Sequence, residues 1–132
     1  KRDSFWERPL HNLETIGEAA PGCRITLNDL DDADALRASI GTSDILTNAT
    51  RVGMKPMDGE SLITDLTMLR PGLIVTDVVY DPEETRLLRE AKAAGCVTFD
   101  GLGMLVEQGA ASFKLYTGLE MPVDEVCDAI YR

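Results

Sequence analysis

Histidine is almost missing from this chain: His11 stands alone among 132 residues. That leaves no material for the usual His and Cys zinc site or for a relay between two histidines. A surface or satisfied histidine is the default reading. Cysteine is sparse as well. Cys23, Cys96 and Cys127 are odd in number, far apart and flanked by apolar or small residues, which suits reduced packing thiols better than a disulfide framework. Basic residues are outnumbered, 13 Lys plus Arg against 23 Asp plus Glu, and they do not cluster. The formal net charge of −10 therefore disfavours phosphate backbones and anionic lipid. No apolar run approaches the ~20 residues that cross a bilayer, and the opening KRDSFWERPL has no hydrophobic signal-peptide stretch. These absences lead us to expect a soluble, cytoplasmic protein with neither a nucleic-acid nor a membrane partner. Its length suits one domain.

What is present is an apolar period that switches back and forth. Residues 5 to 20 carry Phe5, Trp6, Leu10, Leu13 and Ile16 at helical spacing and end at Pro21-Gly22. CRITL, 23 to 27, alternates like a strand. DDADALRASIG, 31 to 41, opens with carboxylates suited to a helix N-terminus and closes on glycine. DILTN, 44 to 48, is a short apolar strand. In residues 71 to 95, Leu73 to Val79 is apolar enough for a strand covered on both faces, followed by a helix. Asp81 is expected to cap that helix, with Pro82 at its first position, Glu83 and Glu84 in its first turn, and Gly95 as its stop. CVTFD, 96 to 100, is another strand, and helices over 103 to 115 and 122 to 130 complete the chain.

Strands and helices in alternation imply an α/β fold with a parallel sheet and helices on both faces. Ligands of such sheets bind beyond the carboxyl ends of the strands. That rule selects the segments NATRVGMKP, YDP and DGLGM. In the last of these, Gly101 and Gly103 occupy a strand-to-helix joint, where missing Cβ atoms permit unusual backbone angles and let a flat ring approach the main chain. Met104 and Gln108 are four apart and share a helix face. Leu105, Val106 and Phe113 lie toward other faces, available to bury against the sheet. Spacing alone allows two readings: a methionine and an amide projecting into one cleft, or a glycine hinge with Gln108 in solvent or capping a loop.

TNATRVGMKP (47 to 56), DVVYDPEETRLL (77 to 88) and DGLGMLVEQGAASFKLYTG (100 to 118) occur in one order and at spacings that resemble the C-terminal, nucleotide-binding half of the shikimate and quinate dehydrogenases. The resemblance covers nearly the whole chain, and its last motif is the most specific. It implies a Rossmann-like, doubly wound parallel sheet, an NAD or NADP cofactor, and shikimate or quinate as small-molecule substrate. It further implies that Gly101 and Met104 lie against the nicotinamide, that Tyr80 faces the substrate near that ring, and that Gln108 hydrogen-bonds a substrate hydroxyl. The backbone from Val78 through Val79 and Tyr80 to Asp81 would contact the cofactor, and Arg51 would approach the nucleotide, with Asn48 and Thr50 in the same loop. No catalytic residue and no metal ligand is assigned within the chain.

Asp3, in KRD, is the position where a carboxylate would accept hydrogen bonds from the adenosine ribose and favour NAD. Lys1 and Arg2 could neutralise a 2′-phosphate, which leaves NADP open, and Asp3 could equally be a solvated terminal residue or a helix cap. The departure from the family is at the front. The substrate domain with its proton-handling lysine and aspartate, the first two strands of the nucleotide domain and its glycine-rich loop have no counterpart here. In the strand order 3-2-1-4-5-6, residues 23 to 27 and 44 to 48 would then lack their neighbours, at roughly 1–3 kcal/mol per buried unsatisfied group. The expectation is a fragment, completed by the missing N-terminal half of the same protein, with a possible homodimer and little activity by itself. The alternatives are a non-catalytic nucleotide-binding module, or a related two-domain dehydrogenase with an amino-acid or folate substrate.

Overall fold

The computed structural model describes residues 7–131, so Asp3 lies outside the described residues. The chain divides into two compact units, Lys1–Thr42 and Ser43–Arg132. In the first, α1 spans Glu7–Ala19 and α2 spans Ala33–Gly41. The carboxylates expected to open α2 do so: Asp32 is its N-cap and accepts from the Ala35 amide at 3.0 Å. The strand expected over residues 23 to 27 is not formed. Ile25 and Leu27 are half-buried while Arg24 and Thr26 are exposed, so the alternation is real. A strand exists only as a hydrogen-bonded pair, however, and no described segment pairs with this one.

The second unit holds three parallel strands, β1 (Ile45–Asn48), β2 (Ile74–Asp77) and β3 (Val97–Phe99), in that spatial order. The α/β class and the parallel arrangement are those expected. Helices α3 (Arg86–Ala93), α4 (Leu102–Thr117) and α5 (Val123–Ile130) follow the strands. Ile45, Ile74 and Val97 are in register, as are Thr47, Thr76 and Phe99, so these six share one sheet face. The opposite face, with Val75 and Asp77, is buried, and α3 packs Leu87, Leu88 and Ala91 on that side. The expectation that β2 is covered on both faces is therefore corrected. Its burial alternates, because Ile74 and Thr76 lie on the face where Ile45, Val97 and Phe99 are more than half exposed.

The start of α3 also differs from expectation. Asp81 and Pro82 do not begin it; the helix starts at Arg86, with Thr85 as N-cap and its hydroxyl accepting from the Leu88 amide at 3.4 Å. Thr85 wins because it is buried and holds a second partner, the Asp77 carboxylate, whereas Asp81 is exposed. Glu83 and Glu84 consequently precede the helix. At the other end of the unit, Val106 of α4 is buried, but Phe113, expected to pack on the sheet, is exposed together with Leu115, Tyr116 and Leu119. Helix α4 packs chiefly on α5.

All three cysteines are free; Cys96 and Cys127 are half-buried, while Cys23 is exposed rather than packed. Among the described residues no helix is long and apolar enough to cross a membrane, and no cluster of His, Cys, Asp and Glu could hold a metal ion.

Candidate functional site at the strand tips

Because the three strands are parallel, their carboxyl ends reach the same side of the sheet. β3 passes directly into α4: the Asp100 carboxylate accepts from the Leu102 amide at 2.9 Å and Gly101 is the N-cap. Gly101 does not need unusual backbone angles, since its φ of −81° is open to any residue. What demands glycine is proximity. A Cβ there would stand 2.6 Å from the Val78 carbonyl carbon and the Val79 carbonyl oxygen, and would meet the Val78 oxygen as well. The Gly101 amide donates to the Val79 carbonyl at 3.2 Å, so the tips of β2 and β3 are joined backbone to backbone.

The tips of β1 and β2 are joined by side chains of which the sequence had pointed only to Asn48, and to that one without a role. Asp77, Asn48 and Thr85 are 3%, 5% and 1% exposed, the only buried polar residues described. Asp77 Oδ1 accepts from Asn48 Nδ2 at 3.0 Å and from the Val79 amide at 3.0 Å, while Oδ2 accepts from the Thr85 hydroxyl at 2.7 Å. Asn48 in turn donates to the Val52 carbonyl at 2.9 Å and accepts from both the amide and the hydroxyl of Thr50, at 3.1 and 2.8 Å. Every polar atom of the amide is satisfied, as burial demands. The available signal was an acid inside the largely apolar run LIVTDVV, and a threonine three residues ahead of Leu88.

Gly53 closes the β1 loop against this cluster. Its φ is +102°, and a Cβ would lie 3.1 and 3.2 Å from the Thr85 Cγ2 and Cβ atoms. Gly53→Ala is expected to cost about 1–2 kcal/mol for the positive φ, read as a lower urea midpoint, whereas Gly59→Ala, with open space at its Cβ, should shift it far less.

The residues singled out from the sequence fall into two groups. Val78 and Val79 form the junction with Gly101; the Val79 amide and carbonyl are both engaged there and its side chain is buried. Tyr80, 47% exposed, and Asp81 continue outward from it. Met104, 49% exposed, lies in the first turn of α4, and Gln108 one turn further, about 9 Å along the axis from the helix start. The Gln108 amide is exposed and donates to the Leu105 carbonyl of its own helix at 3.3 Å. Arg51 and Thr50 are exposed in the β1 loop, whose Asn48 is tied to Asp77. Beside the junction, the Tyr131 hydroxyl stands 3.8 Å from where a Gly103 Cβ would be. Desolvation, and then the neighbouring acidic groups Asp100, Cys127 and Glu83, push its pKa above the ordinary phenol value.

This arrangement was compared with known proteins. A profile of the family described as Shikimate 5'-dehydrogenase C-terminal domain matches residues 101–131, the segment that carries α4 and α5. A quinate/shikimate dehydrogenase of Escherichia coli O139:H28 is 45% identical over 126 residues, which are 96% of this chain and 43% of the relative. Over nearly its whole length the chain is similar to part of a quinate/shikimate dehydrogenase. Its fold matches the shikimate 5-dehydrogenase of Listeria monocytogenes, solved with shikimate and NAD, at a TM-score of 0.91 and 45% identity over 98% of this chain and 45% of that one. A shikimate dehydrogenase solved with NADP+ matches at a TM-score of 0.80 and 34% identity, over 95% of this chain and 42% of that one. The chain thus spans less than half the length of these family members.

Proposed function

We propose that the whole protein is an NAD(P)-dependent dehydrogenase that moves a hydride between the nicotinamide and the ring carbon bearing a hydroxyl of shikimate or quinate, and that this chain supplies its cofactor-side half. The observation that carries the proposal is the bare junction at Gly101. There two strand tips meet with no side chain between them, and the exposed Tyr80 and Met104 follow within three residues of it. The exposed thioether and aromatic face that flank this junction suit a flat ring. The relatives solved with shikimate and NAD, and with NADP+, support the same cofactor class.

When bound, the nicotinamide supplies the hydride chemistry, and the protein supplies orientation. In this reading Met104 and Gly101 face the ring, the Val78–Asp81 backbone follows the cofactor, and Arg51 approaches the nucleotide. Gln108 orients the substrate hydroxyl by a hydrogen bond. Asp3 accepts from the adenosine ribose and favours NAD. The proton is handled by a lysine and an aspartate in the remainder of the protein, as the resemblance implies. The edge of β1 that no described strand pairs is completed by a strand from the same remainder.

The test is the growth of reduced-nicotinamide absorbance when the complete protein meets shikimate or quinate with NAD or NADP. Turnover of at least one of the four pairs is expected, with NAD the better cofactor. No turnover with any of them would end the proposal.

A further inference from the structure

We infer that Asp77 is a positioning residue: its buried carboxylate locks the β1 loop, the β2 tip and the start of α3 into one body and thereby sets the Val78–Tyr80 backbone against Gly101. The inference deepens the proposed function and rests on it only for the identity of the ligand that this backbone serves.

A carboxylate 97% removed from solvent, with no cation bonded to it among the described residues, is costly unless both of its oxygens accept hydrogen bonds. Asp77 meets that demand with three donors from three different elements. Asn48 brings the end of β1, Thr85 the N-cap of α3, and the Val79 amide the chain two residues further on. The third bond is the informative one. It folds the backbone back just after β2 and leaves the Val79 carbonyl to receive the Gly101 amide, which starts α4. One side chain therefore dictates where the carbonyls of Val78 and Val79 stand, and Gly101 tolerates almost no change in that position, as the space for its absent Cβ is already filled by them.

A sheet of this kind does not need such a cluster for stability alone. Val75, one pleat earlier on the same face, is fully buried among apolar neighbours, and a valine or leucine at 77 would extend that core without any desolvated charge. The polar choice is explained by geometry. Hydrophobic contacts tolerate sliding, whereas three directional bonds to one carboxylate do not. The Asn48 amide transmits the same constraint to the loop of Thr50, Arg51 and Val52, so both nucleotide-facing loops take their register from a single residue.

The experiment uses the complete protein in four forms: Asp77→Ala, Thr85→Val, Asp77→Asn and, as a destabilised control, Leu73→Ala, a fully buried core position just before β2. Two readouts are compared at a temperature where all forms remain folded. The first is amide hydrogen exchange at Val79 and Gly101. The second is the Kd for NAD, with KM and kcat measured separately. Asp77→Ala should speed exchange at both amides at least tenfold beyond Leu73→Ala and weaken NAD about tenfold. Asp77→Asn keeps the acceptor for the Val79 amide and can still bond the Thr85 hydroxyl, so it should stay within about threefold of the parent in both. If Asp77→Ala does not fold, Thr85→Val, nearly isosteric, is read in its place. Equal exchange in the cluster variants and in Leu73→Ala would overturn the inference, because the cluster would then be ordinary core. Selective exchange in a parent protein that binds no nicotinamide would instead keep the positioning role and reject the proposed function.

Discussion

Gly101→Ala in the complete protein is expected to cost about 3 kcal/mol or more, at the upper end of what overpacking a well-filled site does. The added methyl would meet backbone, not a flexible side chain: the Val78 carbonyl group and the Val79 oxygen, the latter at 2.6 Å. A rotamer change cannot relieve such a clash, so the strand tip or the start of α4 must move, and the bond from the Gly101 amide to Val79 goes with it. Gly103→Ala is the matched comparison. Its new Cβ would meet only the Tyr131 hydroxyl at 3.8 Å, an ordinary contact, and the residue lies inside α4. Alanine in a helix is favoured over glycine by roughly 0.8–1 kcal/mol, so this variant should be neutral or slightly stabilised. Urea denaturation of the two, at unchanged m, decides the matter. Similar midpoints would mean that the junction is far looser than the distances indicate.

Gln108→Ala should do the reverse, leaving the fold alone and damaging turnover. The side chain is exposed, and its only hydrogen bond within the described residues is to the carbonyl of Leu105 on its own helix. Alanine is the better helix former, so no loss of stability is expected. If the amide orients a substrate hydroxyl, kcat/KM for shikimate or quinate should fall ten- to a hundredfold, about 1–3 kcal/mol. The Kd for NAD should not change. An unaltered kcat/KM with both substrates would remove Gln108 from the site and favour a substrate of another kind.

How much of this was legible beforehand varies by element. The alternation of periods yielded α1, α2, β1, β2, β3, α4 and α5 with boundaries shifted by a few residues, because burial on one helix face or in one strand leaves its period in the chain. The strand expected at 23 to 27 failed for the complementary reason: alternation records burial, not a partner. Asp81 was a reasonable cap by residue type, but Thr85 gained the role through Asp77, eight residues away in the chain and adjacent only after folding. Phe113 was placed on the sheet by its apolar character, whereas α4 packs chiefly on α5 and leaves Phe113 exposed.

By itself the order of residues determined the α/β class, the parallel strands and the candidate ligand side of the sheet, since local periodicity and short joints leave few other ways to bury the apolar faces. The strand-tip rule singled out the segment of Gly101 and Met104, while roles for these two and for Gln108 came from the resemblance; the acidic, histidine-poor composition was plain from the residues. Only the tertiary structure decided why Gly101 is glycine and what Asp77 does. Both answers depend on atoms brought together from distant parts of the chain, Val78 to Gly101 and Asn48 to Asp77 to Thr85. Close packing and directional hydrogen bonds act through space, and no spacing along a sequence records them.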